Sequence, residues 1–280
     1  MKESVKQFFP FIVAVCGQSF LFVLLLFTRP NEFVAEIDSG IIWLRTISLI
    51  AGCVMLSFIL VKFSFKYHRN PSMVRLNVLL ALISYMIATV AYLISTSFQF
   101  PSLTPERMVD RVFTDTTNIF MMVGTVLFLI LGITFFLAPS NERSIRIFKH
   151  VLNIFIVVIY VIFITSKTLR ILNVATDTAD TLDSLSEILL YCLGGFGIVM
   201  LLVIAVRALV ISKKTTDEKY KHGLKALGLS YLFLFAAVLT LLLNILVFDT
   251  KELIIATIVL LGIGFYFVYG GFVKPTTVNA

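Results

Sequence analysis

The chain has 280 residues, of which 59% are hydrophobic and 14% are charged, and its mean hydropathy is +1.00. A soluble domain is roughly half apolar and a quarter charged, so this composition excludes a water-soluble fold. The formal net charge is +7, and the basic residues that cause it lie in short loops between apolar segments. Nucleic acid needs a solvated basic face with aromatic side chains for base stacking, so it is not an expected partner.

Apolar runs recur along the whole chain, and all but the short fifth run are close to the roughly 20 residues that cross a hydrocarbon core. They lack strand-like alternation, so they satisfy their backbone hydrogen bonds in lipid as helices. The sequence therefore predicts an all-α, polytopic transmembrane helix bundle that forms a single integral membrane domain over residues 1–280. The predicted spans are 8–27, 41–61, 76–98, 117–137, 151–165, 187–211, 226–248 and 253–272.

The first apolar run follows Lys2 and Lys6, as the core of a secretory signal peptide does. It is longer than such a core and ends in Phe27-Thr28-Arg29-Pro30, without a small-x-small cleavage site. We therefore expect an uncleaved signal anchor.

The loop before the fourth span contains Thr104-Pro105-Glu106, a capping threonine followed by proline at the first helical position. This pattern predicts an amphipathic helical turn on the membrane surface. Asp115 then stands where it can cap the fourth span.

Four carboxylates precede the sixth span at spacings of three, three and four, which places them on one helical face: Asp177, Asp180, Asp183 and Glu187. A divalent cation or a basic partner is one interpretation. The simpler one is a solvated helix start with a capping box at Ser184 and Glu187, because hard cations want six or more oxygen ligands.

Loop charge predicts the orientation, because Lys and Arg concentrate on the cytoplasmic side. With the N-terminus inside, the cytoplasmic segments hold 16 of the 23 basic residues, the opposite segments hold six, and Arg45 lies within a span. Acidic residues run the other way, with four inside and twelve outside. We expect an N-in/C-in protein of the cell membrane. The inner basic residues are Lys2, Lys6, Lys62, Lys66, Arg69, Arg75, Arg143, Arg146, Lys149, Arg207, Lys213, Lys214, Lys219, Lys221, Lys225 and Lys274.

The longest inner loop is rich in lysine, as in Lys213, Lys214, Lys219, Lys221 and Lys225. Such clusters bind anionic lipid headgroups or an acidic partner, although the positive-inside rule explains them as well. The expected partners are therefore membrane lipids and, through these loops, another membrane protein or a cytoplasmic effector.

No catalytic signature is visible. His68, His150 and His222 fall in predicted cytoplasmic loops, and no metal-binding, nucleophile or phosphate-binding motif is present. No predicted span contains a lysine, and each acidic residue lies in a loop or at a span end, which argues against a proton-driven or ion-driven machine. We expect no enzyme activity, no catalytic residue, no metal and no cofactor.

Polar residues in the outer halves of the predicted spans are the candidate ligand-binding residues: Arg45, Asn118, Glu187, Tyr191 and Asn244. If their helices converge, they line an outward-facing cavity in which Arg45 pairs with Glu187. The alternative is ordinary hydrogen bonding between helices, worth about 1 kcal/mol each.

These features favour a non-enzymatic, receptor-like or accessory protein that binds an external or lipid-borne ligand or a membrane partner. The alternative is a transporter or channel for a neutral or lipid-like solute.

Overall fold

The computed structural model describes residues 2–29, 40–69, 71–98, 108–137, 142–243, 247 and 251–272. Within these residues the protein is helical and contains no strand, so the predicted all-α membrane class is confirmed. The helices are α1 (Lys2–Thr28), α2 (Gly40–Arg69), α3 (Met73–Phe98), α4 (Met108–Gly132), α5 (Glu142–Ile171), α6 (Thr176–Lys214), α7 (Glu218–Leu243) and α8 (Lys251–Phe272). A π-helical turn, Ile133–Leu137, continues α4.

Seven of these helices, α1 to α7, are long and apolar enough to cross a bilayer. In the described part of α8 the apolar stretch Ala256–Gly271 is shorter than a usual span. Each of the eight predicted spans corresponds to one helix. The N-in/C-in orientation depends on loop charge alone and stays a prediction.

Two helices extend well beyond their predicted spans. α5 continues to Ile171 instead of ending at Thr165, and α6 begins at Thr176 rather than near Glu187. With 39 residues, α6 is about 58 Å long at 1.5 Å per residue. The expected capping box is therefore wrong, because Ser184 lies inside the helix and donates to the Asp180 carbonyl at 3.0 Å.

The chain divides into two compact units. Unit 1 comprises Met1–Ile50, Ser84–Gly124 and Arg146–Leu193, and unit 2 comprises Ala51–Ile83, Thr125–Ile145 and Gly194–Ala280.

In unit 1, α1 packs closely on α5 because Gly17 has no side chain. A Cβ at Gly17 would overlap Ile164 and lie 2.8 Å from Cε1 of Tyr160. The Tyr160 hydroxyl donates to the Ala14 carbonyl at 2.8 Å, which gives this contact a polar anchor.

In unit 2, aromatic rings form the centre of the core. The Tyr231 ring meets Phe128 edge to face, and its hydroxyl donates to the Phe128 carbonyl at 2.9 Å. Phe136 and Phe265 pack on the same pair of rings. Gly132 makes room for Tyr231, whose Cζ would lie 3.0 Å from an added Cβ.

Candidate functional site

The main polar feature of unit 1 is a buried lysine near the end of α5. The Nζ of Lys167 lies 2.9 Å from Oδ2 of Asp115 on α4 and 3.0 Å from both carboxylate oxygens of Asp183 on α6. Lys167 is 5% exposed and Asp183 is 9% exposed. One cation therefore joins carboxylates from two other helices.

One turn further along α5, Arg170 extends this group. Its Nη2 lies 2.9 Å from Oδ2 of Asp183 and 2.7 Å from Oδ1 of Asp180. We call Asp115, Lys167, Arg170, Asp180 and Asp183 the ionic cluster. It holds two cations and three carboxylates, so it carries one more negative than positive formal charge.

The tight turn between α5 and α6 aligns the two sides of the cluster. The Val174 amide donates to the Leu169 carbonyl at 3.0 Å and the Asn173 amide to the Arg170 carbonyl at 3.2 Å. These two bonds are those of a Schellman cap, in which the residue with positive φ is usually Gly or Asn. Asn173 has a φ of 54°. The cap reverses the chain within a few residues, so the acidic face of α6 returns along α5.

Small and aromatic neighbours enclose the cluster. The Ser166 hydroxyl is 3.0 Å from Oδ1 of Asp183 and 3.0 Å from the Ala179 carbonyl, and it donates to one of them at a time. Ala179 is fully buried, which permits the close approach of α6 to α5. The Nζ of Lys167 also lies 5.3 Å from the centroid of the Phe163 ring, a cation–π contact.

A second polar group continues from α4 into the middle of α1. Thr116, the residue after the α4 carboxylate of the cluster, places its hydroxyl 2.6 Å from the Val112 carbonyl and 3.0 Å from Oε1 of Gln18. Gln18 is 3% exposed, and the hydroxyl of Tyr160 also lies beside it. Polar atoms thus extend from the cluster to the centre of the first span.

Three of the five predicted ligand-binding residues stand on helices of the cluster. Asn118 is half-buried on α4, one turn after Asp115. Glu187 is exposed on α6, one turn after Asp183, and its charge repels that of Asp115. Tyr191 is half-buried one turn beyond Glu187. Their role in binding stays a prediction.

The other two predicted residues are not described at the level of side chains. Arg45 belongs to α2, but its side chain lies outside the described residues, and Asn244 lies outside them altogether. The predicted pairing of Arg45 with Glu187 therefore stays a prediction as well.

The sequence analysis missed the cluster because it ended the fifth span at Thr165. Lys167 lies inside the helix segment Arg146–Ile171, which is long and apolar enough to cross a membrane, but two residues beyond the predicted end of the fifth span. The expectation that no span contains a lysine stays a prediction. Asp115 is likewise not a cap, since α4 begins at Met108. Two signals were available: the spacing of three between Lys167 and Arg170, and the same spacing between Asp180 and Asp183.

The acidic face of α6 has its basic partner within the same chain. Asp180 and Asp183 bind α5 cations, while Asp177 and Glu187 are exposed. Among the described residues no group of three or more His, Cys, Asp or Glu side chains is arranged to hold a metal ion.

Comparisons of the chain with protein-family models, with curated proteins and with solved structures found no match. The function is therefore argued from the geometry of this site.

Proposed function

We propose that this protein is a non-enzymatic, receptor-like or accessory membrane protein, and that the ionic cluster is the element on which its ligand or partner acts. The observation that carries the proposal is the burial of Lys167 between carboxylates of α4 and α6. Ionisable side chains inside a membrane helix bundle are costly, and they mark functional sites by default.

Stability alone is a poor reason for such a cluster. Buried ion pairs lose about as much free energy through desolvation as they gain through attraction, and apolar side chains of similar size often serve as well. In this cluster one lysine pairs with carboxylates of two helices, α4 and α6. A charged ligand that binds one of these groups can therefore change which of the two helices the lysine stays paired with. This property supports a switching role rather than a purely structural one.

A ligand can exploit that arrangement in a simple way. An anionic group that binds Lys167, or a cationic group that binds Asp115 or Asp183, competes with the internal pairs and loosens α4 from α6. Such a ligand shifts the equilibrium between the closed and the loosened cluster only as far as it binds one of these two states more tightly than the other. α6 is one continuous helix from Thr176 to Lys214, so it connects the cluster with the predicted inner loop.

The contacts also support a non-enzymatic role. Asp183 accepts bonds from Lys167, Arg170 and Ser166, and Asp115 is held by Lys167. A general acid or base must instead be free to exchange a proton with a substrate.

Site-specific photo-crosslinking in native membranes tests the proposal. A photoreactive amino acid replaces exposed Ser184, which lies within one turn of Asp180, Asp183 and Glu187. The matched control position is Ile154, an exposed residue on α5 more than three turns before Lys167. We expect a discrete adduct at Ser184 that is absent at Ile154.

Variants of Lys167 show whether the Ser184 adduct depends on the ionic cluster. The Ser184 adduct should be lost in Lys167→Gln and restored in Lys167→Arg, because arginine keeps the shared positive charge. Identical adducts at both positions, or an adduct that persists in a folded Lys167→Gln variant, would count against the proposal.

A transporter is the second candidate, and the Gln18 contact favours it. Polar groups that continue from the cluster to the middle of α1 are also what a solute pathway requires. In proteoliposomes a cysteine at Asn118 should then react from the outside in one state and from the inside in another. Labelling from the outside alone under every condition would exclude this alternative.

A further inference from the structure

The second half of α6 presents an apolar ridge that ends in two lysines. Val199, Val203, Val206 and Val210 are 60%, 43%, 53% and 39% exposed. Their spacings of four, three and four residues place them on one face of the helix. Lys213 and Lys214 are also exposed, and they follow Val210 at spacings of three and four. The ridge and both ammonium groups therefore share one face.

These lysines differ from the basic residues across the short turn to α7. Lys221 and His222 approach Glu218, with Nζ at 2.8 Å and Nε2 at 3.5 Å from its carboxylate oxygens. That hydrogen bond and the nearby positive charge lower the pKa of Glu218, which is fully exposed. In the described part of the chain Lys213 and Lys214 have no such carboxylate partner. Within these described residues they present two uncompensated positive charges at the end of the ridge.

The chemistry of the face selects its occupant. A soluble anion would leave the valine ridge uncovered, and a neutral lipid would leave the two ammonium groups unpaired. A phospholipid with an anionic headgroup satisfies both, since its acyl chain covers the ridge and its phosphate meets the lysines. Exposed Arg207, about 10 Å before Lys214 along the helix axis, adds a third positive charge on the flank.

We propose that the α6 ridge Val199–Val210, together with Lys213 and Lys214, binds an anionic phospholipid selectively. This site lies in unit 2 and does not depend on the ionic cluster or on the function proposed for it.

Native mass spectrometry of the full chain in mild detergent tests the site, with phosphatidylglycerol and phosphatidylcholine as the two titrated lipids. The protein should bind phosphatidylglycerol more tightly than phosphatidylcholine. Replacing both lysines, Lys213→Gln with Lys214→Gln, should weaken phosphatidylglycerol binding by about fivefold for each lysine and leave phosphatidylcholine unchanged.

The matched control removes two exposed basic residues from the end of α2, Lys62→Gln with Arg69→Gln. It causes the same loss of net charge and should change phosphatidylglycerol binding less than twofold. An equal loss in this control would show attraction by net charge alone and would overturn the proposal.

Two further measurements distinguish a bound phospholipid from an acidic protein segment and from a soluble phosphate. Replacing Val206 and Val210 with serine should weaken binding of both lipids, because the acyl chain loses its contact. A polyglutamate peptide and glycerol phosphate should fail to displace phosphatidylglycerol. Displacement by the peptide would assign the lysines to an acidic protein, and displacement by glycerol phosphate would assign them to a soluble phosphate. Either outcome contradicts the lipid site.

Discussion

At the scale of residues, Lys167 and Asp115 should differ in their effect on stability, although they form one ion pair. Lys167→Met leaves two carboxylates facing each other without their shared cation, and removing one partner of a buried pair costs about 3–5 kcal/mol. In Asp115→Asn the lysine keeps both oxygens of Asp183, so the loss should be about 1 kcal/mol.

Thermal unfolding in detergent measures this difference. Lys167→Met should lower the apparent melting temperature clearly more than Asp115→Asn. Equal losses, or the reverse order, would show that Asp183 does not hold the lysine.

The turn between α5 and α6 contains the second stability prediction. Asn173 and Ala175 have φ angles of 54° and 47°, in the left-handed region, which asparagine tolerates and which costs alanine about 1–2 kcal/mol. Ala175→Gly should therefore raise the free energy of unfolding by about 0.5–1 kcal/mol. Asn173→Val should lower it, because a β-branched residue tolerates this conformation poorly.

Denaturation of both variants checks the turn, with Asn173→Gly as the control. Asn and Gly both fit the position after a helix end, so this control should change stability little. Destabilisation by Ala175→Gly would contradict the assigned backbone conformation.

At the scale of elements, the sequence identified the helices but not the ends of α5 and α6. Hydrophobicity is a local property, and it predicts that 151–165 and 187–211 are apolar helices. The charges of Lys167 and Arg170 look like the start of a loop when only their neighbours are considered. Their compensation comes from Asp115, far away in the sequence, and from Asp180 and Asp183 across a turn. That pairing depends on tertiary structure, which one sequence does not reveal.

Helix packing in unit 1 depends on α1 lying close to α5, and Gly17 tests this directly. A Cβ there meets Ile164 and Tyr160, so Gly17→Ala should push α1 away and weaken the Tyr160 hydrogen bond to Ala14. We expect a loss of about 1–3 kcal/mol, the usual cost of overpacking.

Gly195 supplies the matched control. An added Cβ at Gly195 on α6 has no neighbour within 4 Å, so Gly195→Ala should be neutral or stabilise the helix by up to about 1 kcal/mol. If both variants lost the same stability in thermal unfolding, the effect would come from glycine itself rather than from the α1–α5 contact.

At the scale of the whole molecule, the N-in/C-in orientation stays a prediction from the loop charges, and the structure shows which of the counted residues are paired. Two of the six basic residues on the predicted outer side are Lys167 and Arg170, and both are paired with carboxylates. The lysines at the predicted inner end of α6 include Lys213 and Lys214, which have no carboxylate partner among the described residues. The positive-inside rule counts Lys and Arg whether or not a carboxylate pairs with them, so these contacts leave the predicted orientation where the residue counts place it.

The continuity of α6 turns this argument into a test on one helix. Thr178 lies in its first turn and Thr216 lies two residues beyond its last residue, Lys214, and both are exposed. If α6 crosses the membrane once, as its length and apolar composition allow, these two residues lie on opposite sides. In a variant without Cys16, Cys53 and Cys192, a cysteine at Thr178 should react with an impermeant maleimide in intact cells. A cysteine at Thr216 should react only after permeabilisation, and the reverse pattern would place the N-terminus outside.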